Sequence, residues 1–261
     1  MGTEPLPPHA RRREARLREV VRAQRRFIEM LAHDVRSPVS AAVLRTQALA
    51  LRADDETRAA LAAMEDMLQD LSRSVGTLVE GMRILSGAPR LDRCPVDASD
   101  VMQRAVASVR RRAERRHIRL EHDGGAPAVL AADPDQLEAL IMWMAAVCIR
   151  LTRSGGTVHL GLGSDERTVG VRVESFDSLA DADTLAVARR DFLGGRTGEG
   201  TDVTVGFGVA VAKRLATRHG GRLTIDDDGQ PPGRCRLRLL AQLPRTALGS
   251  TAGSSIASAD A

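Results

Sequence analysis

Apolar and polar positions follow one rhythm over the first third of this chain and another beyond it, with the change near residue 95. In the first third the spacing is helical. Ile28, Leu31, Val35 and Pro38 alternate by threes and fours, as in a helix that packs along one seam against other helices. With Ile28 at heptad position a, Leu31 is d, Val35 is a again, and His33 falls at f, facing solvent. The pattern predicts a long helix from about Arg11 to Leu51, bent at Pro38, which lacks a backbone donor. Asp54-Asp55-Glu56-Thr57 supplies a turn and acidic residues for the next helix N-terminus. In that second helix Leu61, Met64, Leu68, Leu71, Val75, Leu78, Met82 and Leu85 alternate without a break, and Gly87-Ala88-Pro89 ends it. Two copies bury such seams as a four-helix bundle better than one hairpin can, so a homodimer is expected.

From Pro95 helix and strand patterns mix. Asp97 to Arg116 reads as a helix with Val101, Ala105, Val106 and Val109 inward. Ile118-Arg119-Leu120 and Ala128-Val129-Leu130 read as short strands, and Asp133-Pro134-Asp135 caps an apolar helix from Gln136 to Thr152. Gly155-Gly156 turns into strands Thr157 to Gly163 and Thr168 to Glu174. A helix at Ala182 to Phe192 precedes a glycine-rich loop. Gly206-Phe207-Gly208 opens a helix from Val209 to Arg218, and strands Gly221 to Asp226 and Arg234 to Leu243 close the fold. The chain thus divides into a loose arm at 1–10, a helical hairpin at 11–88, a mixed α/β domain at 95–244 and a disordered tail at 245–261. The fold class is α+β.

Composition narrows the function. Hydrophobic residues make up 43% of the chain, enough for a core, but aromatics only 2%, so aliphatics and Met must fill it. The formal charge of +4 owes much to the arginines between Arg11 and Arg26. No aromatics interleave with them as single-strand binding would want, so they read as a solvated helix face and nucleic acid is not an expected partner. Cys94, Cys148 and Cys235 lie far apart with no metal-ligand spacing, which fits a reduced, cytoplasmic protein with incidental thiols. The N-terminus lacks a signal-peptide core, and the longest apolar run, Ala139 to Ile149, falls short of the roughly 20 residues of a membrane span. No membrane anchor is expected, nor a sensor domain before the first helix.

His33 carries the chemistry. An exposed neutral imidazole can attack a phosphoryl group when its other nitrogen carries the proton, and Asp34 could hold that tautomer. Arg36 adds positive charge for the incoming phosphate, and Ser37, four residues on, shares the helical face. Taken alone, the same histidine could be an ordinary surface residue of a bundle.

The whole segment Phe27-x5-His33-Asp34-Val35-Arg36-Ser37-Pro38 closely resembles the phospho-acceptor box of bacterial two-component histidine kinases. The resemblance implies that His33 is the phosphorylated residue and Asp34 its acid/base neighbour. It extends over about 27 to 244, because Asp133-Pro134-Asp135-Gln136-Leu137, Gly155-Gly156, Gly206-Phe207-Gly208 and His219-Gly220-Gly221 match the ATP-binding domain of the same kinases. The implied architecture is a dimeric helical hairpin followed by an α/β-sandwich ATPase-like domain.

The departures concern nucleotide. Active members place two asparagines four residues apart on the long helix, the second on magnesium; here those places hold Trp143 and Val147, and neither offers an oxygen ligand. The second box reads Ser175-Phe176-Asp177-Ser178-Leu179, with Ser175 where the family has the adenine-reading aspartate and Asp177 and Leu179 where it has glycines. Thr204 replaces an earlier glycine of the last box. Gly206 and Gly208 remain as vestiges, able to hold an anion at a helix N-terminus or to serve tight packing. Phosphoryl transfer from ATP depends on metal and positioning, so no bound ATP or metal is expected.

The expected function is a phosphorelay histidine phosphotransferase, with His33, Asp34, Arg36 and Ser37 as site residues. His33 would take a phosphoryl group from a receiver-domain aspartate and pass it to another, the receiver bringing its own Mg²⁺. Residues beside His33, such as Arg36, Ser37 and Leu44, would form the docking face. Partners would be response-regulator receivers, a second copy, and an upstream histidine kinase. The alternatives are a diverged but active ATP-dependent sensor kinase and a non-catalytic scaffold, with a phosphatase role for Ser37 also open.

Overall fold

A computed structural model describes residues 30, 34–35, 37–87, 90–123, 127–194 and 203–245. The chain divides into two compact units, Met1–Ala88 and Pro89–Ala261, taken separately below. The arm at 1–10, the Arg11 to Arg26 run and the tail from 246 lie outside the described residues.

In the first unit, helix α1 (37–50) includes Pro38 in its first turn, and helix α2 spans Asp55–Leu85. The Asp54 carboxylate caps α2 by accepting from the Thr57 amide at 2.9 Å. Arg58 Nε and Nη2 donate to the Ala50 and Ala53 carbonyls, which ties the connection to the end of α1. Gln47 Nε2 donates to Glu65 Oε1 at 2.6 Å and links the helices. On α1 the buried side is marked by Val39 and Thr46, with Ala42, Val43 and Ala50 half-buried. Of the expected seam, Ile28 and Leu31 lie outside the described residues and Val35 and Pro38 are exposed in a single copy, while the covered face of α1 begins at Val39. From there Val39, Ala42, Val43, Thr46 and Ala50 follow the three-and-four spacing of a helix face. The α2 seam stays open, with Met64, Leu71 and Leu78 about half exposed (48%, 49% and 48%).

In the second unit strand β1 (Cys94–Asp97) pairs antiparallel with β3 (Val129–Ala132). Between them come helix α3 (Ala98–Arg115) and strand β2 (Arg119–His122). Helix α4 (Pro134–Leu151) leads to β4 (Thr157–Ser164) and β5 (Thr168–Ser178). Then follow α5 (Ala182–Leu193), α6 (Val203–Arg218), β6 (Arg222–Asp227) and β7 (Cys235–Pro244). The five-stranded sheet has the order β2-β4-β5-β7-β6; β2 and β4 are parallel and the other neighbours antiparallel. Alternation along β5 and β7 turns Val169, Val171 and Val173, and Leu237, Leu239, Ala241 and Leu243, onto one face. The helices pack on that face, with α4 against β5, α3 against β2 and α6 against β6 and β7. Central α4 is buried nearly all round from Leu137 to Ile149, as its long apolar run demands.

The elements differ from the sequence expectation in three places that matter for the site. Strand β1 is an addition, held by its four-residue ladder to β3. Strand β5 continues four residues past Glu174 to Ser178, with an irregularity between Ser175 and Ser178. Helix α6 begins at Val203, so Gly206-Phe207-Gly208 lies inside it rather than ahead of it.

Candidate functional site

Two of the four expected phosphotransfer residues, His33 and Arg36, lie outside the described residues. The flanking chain is helical at 34–35 and from 37 onward, with Asp34 and Ser37 exposed. Leu44, at a spacing of eleven from His33, is also exposed.

The nucleotide-box positions of the second unit are built as follows. Asp133 is the N-cap of α4: its carboxylate accepts from the Gln136 amide at 3.0 Å, from Gln136 Nε2 at 2.8 Å and from the Asp92 amide at 3.1 Å. His219, 2% exposed, closes the same corner. Its Nδ1–H donates to the Leu215 carbonyl at 2.9 Å, and Nε2 accepts from the Asp133 amide at 3.4 Å. Burial, with the charge of Arg93, holds the imidazole below its ordinary pKa against the opposing pull of the Leu215 bond and of Asp133. Gly220 takes a positive φ of 79° for the turn, and at Gly221 an added Cβ would strike the Gln242 carbonyl of β7. The Asp-Pro-Asp and His-Gly-Gly matches thus have structural work in this unit, as a helix cap and a strand entry.

On α4, Trp143 and Val147 are 4% and 3% exposed and covered by the first turns of α6. Trp143 meets Phe207 edge-on at 5.2 Å between ring centres, and Phe192 of α5 meets Phe207 at 5.3 Å. Three of the five aromatic residues in the chain gather here. Gly208 sits against Val147, whose Cγ2 would be 2.7 Å from an added Cβ, and Gly206 lies where a Cβ would strike the Ala188 carbonyl of α5. Both glycines are therefore needed for α6 to lie close between α4 and α5. Gly208 is in the second turn of α6, where backbone donors are used within the helix, so the expectation of an anion cradle at a helix N-terminus is corrected.

The second box is strand rather than hinge. Ser175 is fully buried, and its hydroxyl pairs with that of Thr152 at 2.7 Å, while Thr152 also donates to the Cys148 carbonyl. Asp177 lies 3.9 Å from Arg153, and the Ser178 hydroxyl donates to the Ala180 carbonyl. Trp143, Val147 and Ser175 are thus committed to internal packing or bonding. The donor set does not fit a magnesium nucleotide: at the magnesium place there is a valine, at the other asparagine place an indole, and at the adenine place a hydroxyl already paired. What sequence reasoning missed is the packing of α5 and α6 over Trp143 and Val147. Its only signal was the concentration of Trp143, Phe192 and Phe207 in a chain almost without aromatics.

No family model matches the chain. Among curated proteins it is 30% identical over 214 residues to the adaptive-response sensory kinase SasA of Parasynechococcus marenigrum, covering 78% of this chain and 54% of that one. It is 22% identical over 224 residues to SasA of Synechococcus elongatus, covering 81% and 57%. To the signal transduction histidine-protein kinase/phosphatase MprB of Mycobacterium bovis it is 27% identical over 231 residues, covering 80% and 43%. The chain spans about half the length of these relatives. Among solved structures, full-length ShkA in complex with AMPPNP matches with a TM-score of 0.59 at 19% identity, over 85% of this chain and 46% of that one, a likeness of fold.

Proposed function

With homology to the two-component histidine kinases as the premise, we propose that this chain is a phosphotransfer member of that group that does not use ATP. The observation that carries the reading is the occupation of the α4 face by Trp143, Val147 and the first turns of α6. The intact segment from Phe27 to Pro38 supports retention of the other half of the chemistry.

In this reading the unprotonated imidazole nitrogen of His33 attacks the phosphorus of a receiver aspartyl phosphate. A P–N bond forms as the P–O bond to the aspartate breaks, and the carboxylate leaves with the electron pair. Asp34 accepts a hydrogen bond from the other ring N–H and supports the positive charge that develops. Arg36 adds positive charge for the phosphoryl group, and Ser37 and Leu44 contribute to docking. The reverse step delivers the group to a second receiver, and Mg²⁺ belongs to the receiver in both. The open α2 seam supports a homodimer, with Met64, Leu71 and Leu78 of two copies closing a four-helix bundle. Among the described residues no helix is long and apolar enough to cross a membrane.

The names of the relatives favour a second reading, an ATP-dependent sensor kinase with an altered nucleotide mode. A phosphorylated receiver incubated with the full chain tests the first. Phosphate is expected on wild-type protein and not on a His33→Gln variant that keeps the same fold. Equal labelling of both proteins, or of neither, overturns the reading.

A further inference from the structure

Helix α5 is fixed to the second unit along one side only. Leu185 and Ala188 are buried there, and the Ala188 carbonyl lies where Gly206 of α6 leaves room. Counting by threes and fours from Asp183 traces the opposite side, Asp183, Ala186, Val187, Arg190 and Leu193, all exposed. With Arg189 these five line one depression of about 560 Å³, so they form a continuous strip. Arg189 and Asp191 flank it, both half-buried. The outer face of a surface helix is ordinarily polar, yet Val187 is 40% exposed and Leu193 57%. Leu179, just ahead of the Asp181 cap, is 51% exposed. Among the described residues of the second unit, the other large apolar side chains this exposed are Val129 and Phe176, so exposed apolar surface concentrates on α5 and its entry.

The strip is complementary to itself. Asp183 stands in the first turn and Arg190 in the last, with Ala186 and Val187 midway between them. When two copies are laid antiparallel about a two-fold axis between Ala186 and Val187, Asp183 of each helix comes opposite Arg190 of the other. The same register carries Leu193 of each helix to position 180 of the other, beside Leu179. In a two-fold contact every such pair occurs twice, so one acid–base spacing supplies two ion pairs. Neither side chain is otherwise engaged in an ion pair among the described residues. Ala186, the smallest side chain on the strip, lies at the crossing, where packed helices approach to about 8–10 Å. The helix dipoles agree with the charges, since the basic end of each helix meets the acidic N-terminal end of the other.

We propose that this strip is a contact between the second units of two copies of the chain, α5 against α5 and antiparallel, held by reciprocal Asp183–Arg190 pairs over an apolar centre. It uses other residues than the α2 seam and stands whether or not the phosphotransfer reading does. One helix face falls short of the roughly 1,200 Å² that a stable interface buries, so the contact is weak by itself and is best read by trapping it.

The experiment is crosslinking of the full chain carrying Cys94→Ser, which removes the exposed thiol; Cys148 and Cys235 are buried. Ala186→Cys places a thiol at the crossing, and Ala107→Cys, exposed on α3, is the reference. A short bismaleimide is expected to join two Ala186→Cys chains about tenfold faster than two Ala107→Cys chains. Asp183→Arg or Arg190→Asp sets like charges opposite each other and should cut that rate by about tenfold, and the two changes together should restore it. Circular dichroism establishes that the variants keep their helices. Equal rates at Ala186 and Ala107, indifference to the single charge changes, or no recovery in the double change overturns the proposal. Loss of phosphate uptake from a receiver in the single changes, with no crosslinking through Ala186, would give the strip to a different protein and overturn it as well.

Discussion

At the scale of single residues, polar groups at the positions that match the family's nucleotide boxes are tied into the fold. His219 is the clearest case, because its two ring nitrogens join the end of α6 to the start of α4. Its folded pKa is depressed below the ordinary 6.5, mainly by burial, so the unfolded chain binds the proton more readily. Its contribution to stability is then full above 6.5 and is lost as pH falls through that value toward the folded pKa. Denaturant midpoints should therefore fall between about pH 7.5 and about pH 5.5, and His219→Gln should flatten that slope. An unchanged slope in the variant would remove His219 as its source. Gly206 gives a second test. Gly206→Ala places a methyl against the Ala188 carbonyl and should destabilise the second unit by about 1–3 kcal/mol, measured by urea unfolding. A neutral result would mean that α5 and α6 are not held at this distance.

At the scale of elements, legibility tracked how local the cause was. Helix α2 is written into its own sequence by the unbroken alternation from Leu61 to Leu85 and the Asp54 cap, and it spans Asp55–Leu85. Central α4 is legible for the same reason, with its cap at Asp133. Elements set by neighbours are not. Cys94-Pro95-Val96-Asp97 is too short to show a period, and it is strand because Val129–Ala132 pairs with it. The first turns of α6 contain two glycines, which locally read as a turn; they are helical because α4 and α5 need the space a side chain would take. At the site, the residue types at Trp143, Val147 and Ser175 could be read directly, whereas the packing of the Trp143–Phe207–Phe192 cluster depends on α5 and α6 meeting α4. That cluster predicts the result of a reversion. Trp143→Asn should cost about 3–5 kcal/mol in unfolding free energy and leave calorimetry with Mg²⁺-ATP without a binding signal. Nucleotide binding by this variant would mean that the indole alone closes the site.

At the scale of the whole molecule, the two units make different demands. The second has an enclosed core around α4, whereas the first leaves its longest apolar seam half exposed. A second copy is the simplest cover. Light scattering should give twice the chain mass for the wild type and a monomer for Leu71→Glu with Leu78→Glu, while the second unit keeps its unfolding transition. A dimer that survives both charges would place the contact elsewhere. On the proposed function, phosphate reaches this chain from a receiver and not from ATP. The most direct measurement sets two labelled donors side by side, Mg²⁺-ATP and a phosphorylated receiver, and locates the acid-labile label by mass spectrometry. The proposed function requires label on His33 from the receiver and none from ATP. Label on His33 from ATP, absent with the receiver, would contradict it.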